Sequence, residues 1–421
     1  MENKVYWIWL SLACTPGSET FIKLIERFKT PEEIYSASES EIAAAVGSRS
    51  RDYKALIDKK TDKAEEIFDF CTKKNVGIIT YGDTAFPKSL KRIPTPPVLL
   101  YYRGKLPNFD DCFCISVVGT RRLSEYGLKN TFDISSDLAT AGATVVSGMA
   151  IGIDGVAHAG ALYSGGVTVA VIGSGIDVCY PSVHKTLARA IVKDGCVLTE
   201  YAPGTKPEKP NFPVRNRIIS GLSEATLVIE GKERSGALFT ARHATKQGRV
   251  VYALPGNVGN INSQLTNLLI KNGAKLCTSA DDIISDYQDA SLGKLNPFLL
   301  TEKRCVNVRE VLFEYSVSAL TDNDRVYKRN YKKAKSENNV KESDAPAPQP
   351  TLASKPDEQA LLGFDADTLA IYKKIPLGKE CSIESLVDSQ FPLRKIMKGL
   401  LQLEMGSFVV MLPGEKVKRN F

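Results

Sequence analysis

Six short apolar runs constrain this chain more than any other feature: FCISVVG, ATVVSG, VTVAVIG, CVLTEY, ATLVIEG and RVVYALPG, all between Phe113 and Gly256. Each is rich in β-branched residues and nearly continuous, without the polar alternation of a strand that has one wet face. Several are separated by segments with helical spacing, such as Ile153, Val156, Ala157 and Ala161. Buried strands alternating with helices predict an α/β fold, a parallel sheet of Rossmann-like type covered on both faces. Ligands of such sheets bind beyond the carboxyl ends of the strands, so the loops that follow the strands are where function belongs. Those loops are Gly119-Thr120-Arg121-Arg122, Ser147-Gly148-Met149-Ala150, Gly173-Ser174-Gly175-Ile176, the stretch from Ala202 to Arg215, Gly231 to Gly236, and Pro255-Gly256-Asn257.

The flanks differ from this core. Phe21, Leu24, Ile25 and Phe28, then Ile34 and Tyr35, then Ile42 and Val46 before Gly47 follow helical steps, which predicts a small helical domain over residues 1–75, of the SAM or helix-hairpin-helix-like kind. The stretch YGDTAFPKSLKRIPTPPVLLYYRG has too many prolines for regular structure until VLLYY, a strand leading into the core domain of residues 76–290. The polar, basic segment RVYKRNYKKAKSENNVKESDAPAPQPTLASKP marks a flexible linker over residues 291–360. Beyond it, Leu369, Ile371 and Ile375, then Ile383, Leu386 and Val387, then Leu393, Ile396, Met397, Leu400 and Leu401 suggest three short helices. With SFVVMLPGEKV as a terminal hairpin, residues 361–421 are expected to form a winged-helix domain. The opening MENKVYWIWLSLACTPGS is apolar, but Glu2, the single Lys4 and Ser11 do not fit a lipoprotein signal. No stretch is long enough to span a bilayer, and the nine cysteines contain no C-x-x-C pair. Reduced thiols and a cytoplasmic location are expected.

Glycine-rich turns between a strand and a helix offer backbone N–H groups to an anion, so a phosphate-bearing ligand is expected. It can be a cofactor, a free nucleotide or a nucleic-acid backbone. The dinucleotide fingerprint is missing: the first strand is followed by GTRRLS, and Gly173-x-Gly175 has Val178 where a third glycine belongs. No P-loop is present either, so no cofactor is expected. The three histidines, His158, His184 and His243, fall in no metal spacing, and no G-x-S-x-G elbow appears. Asp154 reads as a helix cap, with His158 one turn later as its hydrogen-bond partner. Glu200 and Glu230 close strands, where active-site carboxylates sit in this fold class, which keeps a nucleotide-binding or nucleotide-hydrolysing enzyme open as the alternative.

The segment KPNFPVRNRIISGLS is the most suggestive. Lys209 and Arg215 enclose Phe212, while Pro210 and Pro213 stiffen the chain and keep the ring out of a helix interior. Cations for phosphates and a flat ring for a base are the minimal kit for single-stranded nucleic acid, with stacking typically contributing ~1 to 3 kcal/mol per base. Asn216 follows Arg215 in the same segment. The plainer alternative has Phe212 packed inward and Arg215 or Arg217 paired with an acid such as Glu224. Arg121, after Gly119-Thr120, is the stronger phosphate candidate because its guanidinium can fork onto a phosphate held at the mouth of the first strand. Formal charge is +7, from 55 basic and 48 acidic residues, so a few placed cations must do this work.

In order, VVGTRRLSEYG, SGMAIGIDGVAHAGAL, VAVIGSGIDVCYP, FPVRNRIISGLS, SGALFTARHATKQGRVVYALPG and TNLLIKNGAKL resemble the DNA-processing protein A family (DprA, also called Smf). The resemblance implies an extended Rossmann-like core that binds single-stranded DNA without strong sequence preference, forms a homodimer, helps load the RecA recombinase during natural transformation, and has no enzymatic activity. It places the family's DNA-contacting arginine on Arg121 and its Lys-x-x-Phe contact on Lys209 and Phe212. It places the phosphate-cradling loops on Ser147, Gly148, Gly173 and Gly175, a further lysine on Lys185, and the dimer helix on Leu269 and Ile270.

Overall fold

A computed structural model describes residues 2–287, Leu295 and, with short gaps, 366–419. Nearly all of the expected linker, 291–360, lies outside the described residues, including its basic and tyrosine-bearing part. The chain divides into two compact units, Met1–Glu337 and Asn338–Phe421.

Six helices open the first unit: α1 (Glu2–Ala13), α2 (Thr20–Phe28), α3 (Pro31–Ser36), α4 (Glu39–Val46), α5 (Tyr53–Ile57) and α6 (Asp62–Lys73). Their starts follow local chemistry. Thr30 accepts from Glu33 N ahead of Pro31, and Ser38 with Glu41 forms a reciprocal capping box on α4. The opening apolar segment is α1, with Trp7, Ile8, Trp9 and Leu10 all buried. Those residues share one core cluster with Leu99, Ala170 and Val197 of the sheet, so the N-terminal helices complete one of its faces.

The core continues as β1 (Gly77–Thr80), α7 (Lys88–Lys91), β2 (Leu99–Gly104), β3 (Cys114–Val118), α8 (Glu125–Thr140), β4 (Thr144–Ser147), α9 (Ile153–Tyr163), β5 (Thr168–Val171), α10 (Lys185–Asp194) and β6 (Cys196–Thr199). It ends with α11 (Asn211–Leu222), β7 (Ala225–Val228), α12 (Gly236–Lys246), β8 (Val250–Ala253), α13 (Gln264–Lys271), β9 (Lys275–Leu276) and α14 (Asp281–Tyr287). All six apolar runs are strands. The nine-stranded sheet has the order β1-β2-β6-β5-β4-β3-β7-β8-β9, parallel from β6 to β9, with β2 antiparallel to β6 and β1 antiparallel to β2. Two-residue alternation splits each strand between faces: Leu99 and Tyr101 point to one cluster and Leu100 to the opposite one, as do Ala170 and its neighbours Val169 and Val171. The chain runs outward from β3 through β4, β5 and β6, then returns to β7 on the other side of β3. That reversal sets the switch point of the sheet between β3 and β7.

In the second unit, α15 (Ala366–Lys374) and a short 3-10 turn (Ile383–Leu386) accompany β10 (Cys381–Ser382), β11 (Val409–Leu412) and β12 (Lys416–Arg419). The strands form an antiparallel sheet of order β10-β12-β11, with β11 and β12 as a hairpin. Ile371, Ile375, Ile383, Leu386, Ile396 and Leu400 share its buried cluster. The segment at Ile383 is thus a 3-10 turn rather than an α-helix, and much of the expected third helix falls outside the described residues. No disulfide joins the eight described cysteines. No described helix is long and apolar enough to cross a membrane.

Candidate nucleic-acid interface

At the switch point the loops after β3 and β7 close on each other. Thr120 N donates to Glu230 O at 2.8 Å, and Ile153 N donates to Thr120 O at 3.1 Å. Small residues permit this: a Cβ on Gly119 would lie 2.9 Å from Glu230 O, and one on Gly152, at φ +96°, only 2.2 Å from Thr120 O. Gly119 and Thr120 therefore shape the loop, and the Thr120 amide expected for a phosphate is already used. What the loop presents outward is Arg121. It is exposed, with its guanidinium 5.6 Å from the Phe212 ring centroid and no carboxylate of a described residue within ion-pair distance.

Phe212 meets Arg121 from the start of α11, and Lys209 lies just before that helix. The helix begins at Asn211, one residue before the ring, so Phe212 stands in its first turn rather than in a preceding loop. Pro213 is tolerated there because first-turn N–H groups have no intrahelical partner. Lys209 is exposed and Phe212 half-buried. The ring lies over Gly173, whose missing side chain makes room for it: a Cβ there would be 3.1 Å from Phe212 Cδ1. Asn211 fixes the same junction by donating from Nδ2 to Gly173 O at 3.2 Å. Tyr180 packs against Phe212 with ring centroids 5.6 Å apart. Lys185, at the start of α10, is also exposed.

Beneath this rim, several of the expected residues are hydrogen-bonded inside the fold. Arg215 is buried. Its Nη1 donates to Gly148 O at 2.8 Å and also to Val171 O, while Nε donates to Asn216 Oδ1 at 3.2 Å. It ties the ends of β4 and β5 to α11, and so is not the surface cation that the sequence suggested. Asp154 is buried beside it: a Cβ on Gly148 would sit 2.6 Å from both Arg215 Nη2 and Asp154 Oδ2. Burial pulls the Arg215 pKa down to about 10, and burial raises that of Asp154 although the Arg215 charge opposes it. Asp154 accepts from Ala150 N at 3.4 Å and serves this loop and this guanidinium, two residues past the Gly152 cap of α9.

Four further residues of the sequence reading also have internal partners. Ser147 is fully buried and donates its hydroxyl to Val117 O at 2.6 Å. Gly175 N donates to Thr205 O at 2.9 Å, which commits that amide. Asn216 is half-buried and accepts from Arg215, while its Nδ2 reaches Gly236 O at 3.5 Å. His158 pairs through Nδ1 with Thr168 Oγ1 at 2.7 Å, not with Asp154, and burial pushes its pKa down to about 3.

The two strand-closing carboxylates are also committed. Glu200 receives Arg217 through both oxygens, at 2.6 and 2.7 Å, with both side chains buried. Glu224, the acid named in the plainer alternative for this segment, pairs with Arg249 at 3.3 Å. Glu230 accepts from Ser124 N at 2.9 Å and from the Ser124 hydroxyl, and so braces the start of α8. Leu269 and Ile270 are half-buried on α13.

Residues 77–288 match the model of a family described as DNA recombination-mediator protein A. The chain is 34% identical over 298 residues to Protein Smf of Synechocystis sp., covering 70% of this chain and 74% of that protein. It is 43% identical over 208 residues to the DNA processing protein DprA of Streptococcus pneumoniae, covering 49% of this chain and 72% of the relative. The X-ray structure of the Streptococcus pneumoniae protein superposes with a TM-score of 0.58 at 34% identity, over 68% of this chain and 98% of that one.

Proposed function

This chain belongs to the DNA recombination-mediator protein A family, and from that premise we propose that it binds single-stranded DNA without sequence preference and passes the strand to a RecA-type recombinase, as in natural transformation. One observation carries the DNA part: the exposed Arg121 holds its guanidinium 5.6 Å from the centroid of the Phe212 ring at the carboxyl ends of the strands, and the exposed Lys209 precedes that ring in the same Lys-x-x-Phe segment. Cations without internal partners suit phosphates, and a flat ring suits any base. We read the protein as a binding mediator rather than an enzyme. The carboxylates best placed for hydrolysis, Glu200 and Glu230, already hold Arg217 and Ser124.

The partners follow from the same reading. Self-association through α13 is favoured by apolar surface around it: Ile261 is 51% and Leu276, on the edge strand β9, 52% exposed. Ile270→Glu should then shift the sedimentation of the full chain toward a monomer. We take the six N-terminal helices as the helix-hairpin-helix-like domain, the second unit as the winged helix, and the cytoplasm as the place of action.

The direct test is fluorescence anisotropy of a labelled oligo-dT and its duplex across a salt series. Single-strand-selective binding that weakens with salt supports the reading, and equal or absent binding to both at low salt refutes it. For the recombinase step, the chain should shorten the lag before RecA hydrolyses ATP on DNA coated with single-strand-binding protein.

A further inference from the structure

We propose that Tyr180 is a second stacking platform of this interface, taking an unpaired base next to the one on Phe212. The inference rests on the single-strand reading above and adds a residue to it.

Tyr180 lies on the loop that follows β5, between the Gly173-x-Gly175 turn and Lys185 at the start of α10. It is 42% exposed, although a large ring on a surface loop is stabilised by burial unless something else occupies its face. Phe212 is more enclosed. Its ring meets the Gly173 backbone, the Arg121 guanidinium at 5.6 Å and the Arg215 guanidinium at 5.9 Å. Of the two rings, Tyr180 therefore offers the larger free surface to a strand that reaches Arg121.

The geometry of the pair points to one base per ring. The centroids are 5.6 Å apart and the planes differ by 39°. A flat base lying on one ring is tilted by that angle from the other, so one base cannot stack squarely on both. The spacing also exceeds the roughly 3.4 Å rise between stacked neighbours in a nucleic-acid strand. Two successive bases meeting these rings are splayed apart, as an unpaired strand allows and a duplex does not. Duplex discrimination thus gains a physical basis in the angle between two side chains.

Binding of oligo-dT across a salt series tests this with Tyr180→Ala, Tyr180→Leu, Tyr180→Phe, Phe212→Ala and the Tyr180→Ala/Phe212→Ala double variant. Losing the ring, to Ala or Leu, should weaken binding about tenfold with the salt slope unchanged, while Phe retains wild-type affinity. The loss should recur when Phe212 is already absent. Wild-type affinity in both Ala and Leu variants overturns the inference, as does a Tyr180→Ala effect that vanishes in the Phe212→Ala background, where the tyrosine would merely support its neighbour. Neither result touches the single-strand reading, which falls if the wild-type chain binds oligo-dT no better than its duplex.

Discussion

The rim at the carboxyl ends of the strands and the layer just beneath it use the same side chains for opposite purposes. Arg121 is exposed and has no acid in ion-pair distance among the described residues, whereas Arg215 and Arg217 are buried, the first against strand-end carbonyls and Asp154, the second against Glu200. Arginine serves both places because its charge persists and its planar fork satisfies several acceptors at once. A guanidinium with its donors spent inside can hold loops in register but cannot receive a phosphate. A guanidinium left open does the reverse. Loss in the lower layer should therefore act on folding, and loss in the rim on binding.

The largest effect should come from the lower layer. Glu200→Ala leaves the buried Arg217 charge without its bidentate partner, and removing one member of such a pair typically costs about 3 to 5 kcal/mol of stability. Urea unfolding of the full chain should show it as a lower midpoint. Restoring a neutral, packed pair with Glu200→Leu/Arg217→Met should recover most of the loss. A single variant with an unchanged midpoint would remove the distinction between the two layers on this side of the site.

A second effect distinguishes the layers by pH. His158 faces Thr168 within hydrogen-bond distance, and burial, with the charges of His184 and Arg215 adding to it, holds its folded pKa at about 3 against roughly 6.5 for an open chain. The fold holds it neutral while the unfolded chain takes up a proton. Its contribution is fully present above pH 6.5 or so and declines as pH falls from there toward 3. Between pH 7 and pH 5 this one residue should withdraw about 2 kcal/mol of stability. His158→Asn should reduce the difference between urea midpoints at those two pH values. An unaltered difference would mean that the ring is not held neutral in the fold.

How much of this was visible beforehand follows the range of the interactions. The six strands were legible because each is continuously apolar over its own few residues. β1 and β9 were not, since Gly77–Thr80 is a short strand beside a helix and Lys275–Leu276 is two exposed residues completed only by pairing with β8. The rim was legible for the same local reason, with Lys209 and Phe212 set around prolines. The role of Arg215 was hidden because its acceptors, Gly148 and Val171, lie 67 and 44 residues away in the chain. Nothing near Arg215 in the sequence signals its burial. The family resemblance places a phosphate cradle on Ser147 and Gly175, while their partners, Val117 and Thr205, come from other strands and loops. Local pattern identified what faces outward, and long-range packing decided what does not.

Within the rim, the ring should matter more than any one cation. Phe212→Ala should weaken oligo-dT binding by about 1 to 3 kcal/mol at every salt concentration, because a stacked base releases no counterions.

Arg121→Ala is the smallest and most diagnostic case. Its guanidinium is exposed and makes no described ion pair, so folding stability should stay within about 0.5 kcal/mol of wild type. Affinity should fall chiefly at low salt, and the slope of log K against log salt should flatten by about 0.7, the value of one single-strand phosphate contact. Because the same guanidinium rests near Phe212, part of its effect can pass through the ring, and the salt slope separates the routes. A lost phosphate contact changes the slope. A lost support for the ring lowers affinity and leaves the slope alone, which would make Arg121 a member of the scaffold despite its exposure and would move the boundary between the two layers outward by one residue.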